Sequence, residues 1–232
     1  TQTITNPLNK LMKRTETMSQ GDFKTILKIR SGDEIQLLAE SFNFMTTKMH
    51  EILDQMKDKG RMESELQTAK VVQDSLFPPD SLIRNPYQLF GFYNSASECG
   101  GDWWGYKESR GKLYLFIGDA TGHGVPAALV TASACSCCQT ILEYIEHFNG
   151  QYARPSDILK FLNSAVLLTG GQKIMMTFFV AIYDQEKKTI EYSNASHNFP
   201  IIYKYSDQDA TKTSIEVLAK AVGRRLGDKA HS

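Results

Sequence analysis

Seven apolar residues follow a strict 3-4 alternation early in the chain: Ile35, Leu38, Phe42, Met45, Met49, Ile52 and Met56. A stripe this narrow is the seam of a coiled coil rather than the broad apolar face of a helix lying on a core. A parallel partner of identical sequence is the simplest way to bury it, so a homodimer is expected. After Met56 the phase changes, with apolar positions at Met62, Leu66, Ala69 and Leu76 and Lys59 at the intermediate position. The local 4-3-3-4 spacing is a stammer, which overwinds a coiled coil. Gly60 sits beside it and weakens the helix by about 1 kcal/mol relative to alanine. Two readings stand here, a pliable hinge at Lys59-Gly60 between an input and an output module, or ordinary helix irregularity. On the first, Gly60→Ala alters coupling without changing the isolated output domain.

An earlier helix is marked by Ile4, Leu8, Leu11, Thr15 and Met18, with Pro7 tolerated in its first turn. It should end at Ser19-Gln20-Gly21, where glycine can take a positive φ. An extended connector, DFKTILKIRSG, leads to Asp33-Glu34, whose carboxylates suit a helix N-terminus. Beyond Phe77-Pro78-Pro79 the helical pattern gives way to strands, glycines and a few helices. Residues 63–79 read as a helix stopped by the two prolines. Pro86 to Tyr93 and GKLYLFIGDA read as strands, and GVPAALVTASACSCCQTILEYIEHF and PSDILKFLNSAVLL as helices. MMTFFVAIYD and KKTIEYSN form a hairpin across Gln185-Glu186-Lys187, and PIIYKY is a further strand. Strands flanking paired helices indicate an α+β sandwich.

Lys and Arg balance Asp and Glu at 26 each, so no global field points to nucleic acid. No uninterrupted apolar run approaches the ~20 residues that span a bilayer. The chain opens without Met, which suggests a piece excised from something longer. Cys135, Cys137 and Cys138 share a helical segment, and vicinal cysteines on a helix point apart. With Cys99 they read as reduced thiols filling small core positions, in keeping with a cytosolic setting.

The segment IGDATGHGVPAALV, residues 117–130, joins a strand to a helix. No Gly-x4-Gly-Lys-Ser/Thr is present for a phosphate loop. Gly122-His123-Gly124 does not continue as a dinucleotide fingerprint, and no G-x-S-x-G occurs for a serine triad. A second carboxylate, Asp102 in GGDWWGY, lies on a glycine-flanked turn 17 residues upstream of Asp119. That interval fits one strand folding back on another and bringing both turns together. Hard cations such as Mg2+ or Mn2+ prefer oxygen ligands of this kind, and glycines let backbone approach the ion. On spacing alone, a metal site and ordinary Asp-Gly turn chemistry both remain open. Asp119 is followed by Ala-Thr-Gly rather than a hairpin, which counts against a simple turn.

GGDWWGY and IGDATGHGVPAALV, preceded by E-x-E-L-x-x-A-x-x-x-Q-x-x-L-F-P-P, resemble the SpoIIE/RsbU branch of the PPM metal-dependent protein phosphatases. SNASHNFPIIY is similar to that family's N-A-G-H-x-P segment, with Ser196 in place of glycine. The helix-connector-helix upstream, with Gly21 and Gly32-Asp33-Glu34, resembles a HAMP domain. The domains implied are a HAMP-like dimeric module over 1–52, a coiled-coil linker over 53–79, and the N-terminal portion of a phosphatase domain over 80–232. The resemblance implies an α-β-β-α sandwich holding two Mg2+ or Mn2+ ions in the complete domain. Asp119 then bridges the ions, the Ala120 carbonyl is a further ligand, and Asp102 lies beside the pair. Asp119 and Asp102 are thus the implied catalytic and metal residues, and water activated by the metals attacks a phosphoserine or phosphothreonine in line.

His123, between Gly122 and Gly124, is expected to shape its loop or act as an acid, with shaping favoured. His197 is expected to order a turn through backbone hydrogen bonds. The family continues through a T-D-G-V/I-x-E segment and a late Asp that this sequence does not reach, and Asp228 does not stand in for them. Half the ligand set is therefore expected, with metal binding in the millimolar range or absent and little activity. The implied partners are a second copy through the HAMP and linker helices and a phosphorylated STAS-type anti-sigma-factor antagonist. No nucleic acid is implied, and a membrane only through an upstream segment, placing the full-length protein at the cytoplasmic side of the inner membrane and the chain as given in the cytoplasm. Two other readings stand beside this one, a non-catalytic signalling module with a degenerate phosphatase fold and a purely structural dimerisation stripe.

Overall fold

The computed structural model describes residues 2–95, 98–147, 153–204, 214–219 and 222–228. The chain divides into two compact units, Thr1–Glu65 and Leu66–Ser232. Helix α1 (Gln2–Ser19) ends at Gly21, whose φ of 96° is the left-handed conformation expected there. Helix α2 (Glu34–Asp74) is capped by Asp33, whose Oδ1 accepts the Ile35 amide at 3.1 Å. The connector between them is stitched to α2 by Asn43, whose carboxamide donates to Leu27 O and accepts from Leu27 N, each at 2.8 Å. Arg14, buried on α1, reaches Asp22 at 3.0 Å and Thr17 at 2.9 Å. Leu11, Ala39 and Thr46 are buried, while Leu38, Met45, Met49, Ile52 and Met56 of the seam are 42 to 65% exposed.

α2 runs unbroken through Lys59-Gly60, with ion pairs Lys59–Glu63 and Arg61–Glu65 along its surface. It stops at Asp74, short of the expected end near Pro79. Leu76 and Phe77 donate their amides to Gln73 and Asp74 carbonyls in a closing turn instead.

In the second unit, β1 (Ser81–Arg84) and β2 (Tyr87–Phe90) pair antiparallel around Asn85-Pro86, a cis peptide. The single strand expected from Pro86 to Tyr93 is thus the second arm of a short hairpin. Strands β3 (Asp102–Ser109), β4 (Lys112–Ala120), β5 (Met176–Asp184), β6 (Thr189–Ala195) and β9 (Val222–Gly223) form a five-stranded sheet in the order β3-β4-β5-β6-β9. β3 and β4 are joined by Arg110-Gly111, both at positive φ, the geometry a two-residue hairpin needs. β7 (Ile201–Lys204) and β8 (Ser214–Val217) make a separate two-stranded sheet.

Helices α3 (Val125–His147) and α4 (Pro155–Gly170) cover one face of the large sheet. Alternation along β4 sends Tyr114, Phe116, Gly118 and Ala120 to that face, where they are buried. Trp103, Phe116 and Phe178 cluster there under Ala134, Cys138 and Leu142 of α3 and Ile158 and Leu162 of α4. By length and composition α3 could also cross a membrane, the expectation from apolar runs notwithstanding; it carries nine buried residues against the sheet and α4. Cys99, Cys135 and Cys138 are buried thiols outside any disulfide, and burial pushes Cys135 up to about 11, so Cys135 is an inert packing group. The opposite face carries Trp104, Leu115, Ile117 and Phe179, which wall a cavity of about 700 Å³ rimmed by β2 and residues 197–200. The result is a mixed α+β domain with its helical layer on one side of the sheet.

Candidate metal centre

Register brings the two carboxylates together. Asp102, the first residue of β3, stands directly opposite Asp119, the penultimate residue of β4. Asp102 is therefore on a strand end rather than on the turn the sequence suggested. Asp119 alternates with Ala120, so its side chain rises on the open face while Ala120 is buried beneath. Partial burial, and then the charge and hydrogen bonding of Asp102, raise the Asp119 carboxyl above its ordinary value. Two carboxylates placed opposite each other repel when both are ionised, a condition a divalent ion would relieve.

The backbone below the pair is tightly packed, with Gly101 lying against the Ala120 carbonyl. A Cβ on Gly101 would sit 2.3 Å from Ala120 O, so only glycine fits at that crossing. The Ala120 amide donates to Gly101 O at 3.0 Å, and the buried Thr131 hydroxyl donates to the same oxygen at 2.7 Å. Gly100 is clamped by the last turn of α2: Gln73 Nε2 donates to Gly100 O at 2.6 Å and Gln73 Oε1 accepts Gly100 N at 3.1 Å. Trp103 Nε1 donates to Leu76 O at 3.1 Å. The residues just before and after Asp102 are thus held by the end of the linker helix. Gln73 lay inside the helix pattern read from sequence, yet its spacing gave no sign of this contact.

Beyond Ala120 the chain turns on Gly122 and Gly124, at φ 93° and 74°. Gly124 N donates to Cys99 O at 3.1 Å and Thr121 N to Met175 O at 2.8 Å, which fixes the loop. The loop's shape therefore comes from these backbone bonds and the two glycines. His123 is exposed, with no side-chain hydrogen bond among the described residues. Gly60 lies far along the sequence, in α2, with open space where a Cβ would be.

A histidine the sequence had assigned to turn-making joins the site. His197 N donates to Asn194 Oδ1 at 2.7 Å and Asn194 Nδ2 donates to His197 O at 3.0 Å. The turn is thus braced by the buried Asn194 carboxamide. The His197 ring, half-buried, places Nδ1 2.8 Å from Thr177 Oγ1, and Thr177 is the β5 residue opposite Asp119. Burial lowers the ring below its ordinary pKa, against the pull of Asp102, which keeps it neutral.

The two carboxylates suit a hard divalent cation, while Ala120, whose carbonyl lies against Gly101, is buried. As a set they are small. Among the described residues, no group of three or more His, Cys, Asp or Glu is arranged to hold a metal ion.

The family model for Stage II sporulation protein E (SpoIIE) matches residues 109–227. This chain belongs to the SpoIIE family. A HAMP-domain model matches residues 1–51, upstream of the SpoIIE domain. Similar proteins include the phosphoserine phosphatase RsbU of Bacillus subtilis, 26% identical over 163 residues, covering 70% of this chain and 46% of RsbU. RsbP of the same organism, also named a phosphoserine phosphatase, is 27% identical over 174 residues, covering 73% of this chain and 40% of RsbP. The chain thus spans less than half the length of these relatives. The SiaA-PP2C domain of Pseudomonas aeruginosa shares the fold, with a TM-score of 0.54 at 20% identity over 75% of this chain and 65% of that one. The SpoIIE match begins after Asp102, so the β3 half of the carboxylate pair lies outside it.

Proposed function

We propose that this SpoIIE-family chain is the HAMP-controlled part of a metal-dependent protein phosphatase acting on phosphoserine or phosphothreonine. The observation that carries the reading is the opposed pair Asp102–Asp119 at the ends of β3 and β4. Asp119 and Asp102 would hold Mg2+ or Mn2+, with the Ala120 carbonyl as a further donor. A divalent cation bound there supplies water of lowered pKa and neutralises charge on the phosphoryl oxygens. The chain's own contribution is positional. β3 and β4 fix the carboxylates at one register, Gln73 and Thr131 fix the peptides beneath them, and the cavity wall of Trp104, Ile117 and Phe179 limits water on one side.

Control by the N-terminal module is supported by two features. The exposed seam Leu38, Met45, Met49, Ile52 and Met56 is suited to a second copy, giving a homodimer through the HAMP and linker helices. The Gln73 clamp ties the end of the same helix to the peptide beside Asp102. The names of RsbU and RsbP support phosphoserine as the group acted on; a phosphorylated STAS-type regulatory protein as its carrier, met on the cytoplasmic side of the membrane, is what we further propose from the resemblance of the motifs. The test is Mg2+ and Mn2+ titration of the full-length gene product against a phosphoserine peptide, with Asp119→Asn as control. Metal-dependent hydrolysis lost in the variant supports the reading; equal hydrolysis by both proteins removes Asp119 from the mechanism.

The small donor set favours a second reading, a signalling module that binds a partner without catalysis. Calorimetry separates the two: full-length protein that takes up no divalent ion under any condition, yet binds the phosphoprotein, belongs to the second.

A further inference from the structure

Asp102, Asp119, Thr177 and His197 lie along one edge of the sheet. Thr177 faces Asp119 across β4–β5, and Phe178 faces Ala195 across β5–β6, so the chain leaving β6 turns through Ser196, at φ 57°, back over Thr177. Asn194 accounts for the turn by bonding the backbone of His197 on both sides. The imidazole is not needed for that purpose. It lines the same cavity as Asp102, against Trp104, Ile117 and Phe179.

The hydrogen bonding around Thr177 bears on the tautomer. Its hydroxyl carries one proton and has two acceptors in range, His197 Nδ1 at 2.8 Å and Asp119 O at 3.5 Å. Two arrangements fit these contacts: Nδ1–H donating to Thr177 Oγ1 while the hydroxyl serves Asp119 O, or the hydroxyl donating along the shorter contact to Nδ1, which is the arrangement we adopt. In a neutral imidazole one ring nitrogen accepts and the other carries the proton, which places N–H on Nε2. A half-buried ring held this way is a preorganised donor at the wall of a site already holding two acids.

We propose that His197 Nε2–H is a substrate contact, donating to a phosphoryl oxygen of a phosphoserine or phosphothreonine side chain held at the Asp102–Asp119 pair, with Thr177 as its positioning residue. This rests on the phosphatase reading. The donor is neutral and sits to the side of the carboxylates, so it orients the phosphoryl group without competing with a cation. Hydrogen bonds to charged groups contribute enough to change affinity by about tenfold to a hundredfold.

The test is ring nitrogen NMR on the full-length gene product with saturating Mg2+, before and after adding O-phosphoserine. The free chain should show His197 with Nδ1 unprotonated and Nε2 protonated. Phosphoserine should then shift Nε2 saturably and leave Nδ1 nearly still. Thr177→Val should mix the tautomers and weaken phosphoserine binding about tenfold or more. His197→Gln, which retains an N–H donor, should keep more affinity than His197→Ala, while both keep the melting temperature, since Asn194 holds the turn. A purely structural ring would not respond at Nε2. A proton found on Nδ1, or an Nε2 signal unmoved by phosphoserine, overturns the proposal. Hydrolysis of a phosphoserine peptide by the full-length gene product is measured alongside. Turnover with a silent ring defeats this inference alone, and absent turnover removes the phosphatase reading and this inference together.

Discussion

Substituting Gly101 by alanine tests whether the β3–β4 crossing is what presents the Ala120 carbonyl. The added Cβ would lie 2.3 Å from Ala120 O, 3.2 Å from its carbonyl carbon and 3.3 Å from its nitrogen, all of them backbone atoms. No side chain can swing aside, so the strand ends must part by several tenths of an ångström. Parting them strains the Ala120 N–Gly101 O bond of 3.0 Å and the Thr131 bond of 2.7 Å to the same oxygen. Overpacking of this kind costs about 1–3 kcal/mol. For a domain of this size that is a fall in Tm of roughly 3–10 °C. The carboxylates sit one residue away on each strand, so their separation changes too, and displacements near 1 Å cost on the order of a hundredfold in positioned chemistry. The assay is thermal unfolding followed by circular dichroism, with and without Mg2+, on wild type, Gly101→Ala and Gly60→Ala. Gly60 has open space around it in a helix, so its alanine should stabilise by up to about 1 kcal/mol. A Gly101→Ala chain with unchanged Tm and an unchanged Mg2+ response would refute the close-approach argument.

Gln73→Ala removes both bonds to the Gly100 peptide, which is partly exposed and regains water at some of these groups; the expected loss is about 1–3 kcal/mol, read as a lower urea midpoint with unchanged slope. Asp119→Asn should stabilise the metal-free chain at neutral pH while abolishing its response to Mg2+. The sign follows from the raised carboxyl: the folded state keeps a proton that the unfolded chain releases near 3.8, so wild type loses stability as pH rises from 3.8 through the raised value, and the variant lacks that loss. Denaturation midpoints of both chains across that interval check it. Met49→Lys places a charge in the exposed seam and should shift sedimentation equilibrium toward monomer, with helix content at low temperature little changed.

How far the sequence could be read depended on whether a feature was local. The seam on α2 was legible because seven residues at a fixed period leave little choice, and Asp33 and Gly21 mark their helix ends with side-chain and backbone chemistry of their own. The end of α2 was not, since Leu76 keeps the apolar phase after the helix has stopped at Asp74. β1 escaped notice because four residues between Asp80 and Asn85 carry almost no pattern, and β3 because its glycines and paired tryptophans hide an alternation in which Trp103 is buried and Trp104 lines the open face. The facing of Asp102 and Asp119 was foreseeable from the interval, which two strands and the Arg110-Gly111 turn fill. What surrounds the pair was not. Gln73 meets Gly100 across 27 residues and Thr177 meets His197 across 20, and each contact exists only once the sheet edge is assembled. The two facing carboxylates are therefore written in short motifs, while the groups that hold them in place are dispersed. Those holding groups include the end of the helix that carries the exposed apolar seam. Gln73 and Gly100, more than the carboxylates, are therefore where coupling between that helix and Asp102 is to be sought.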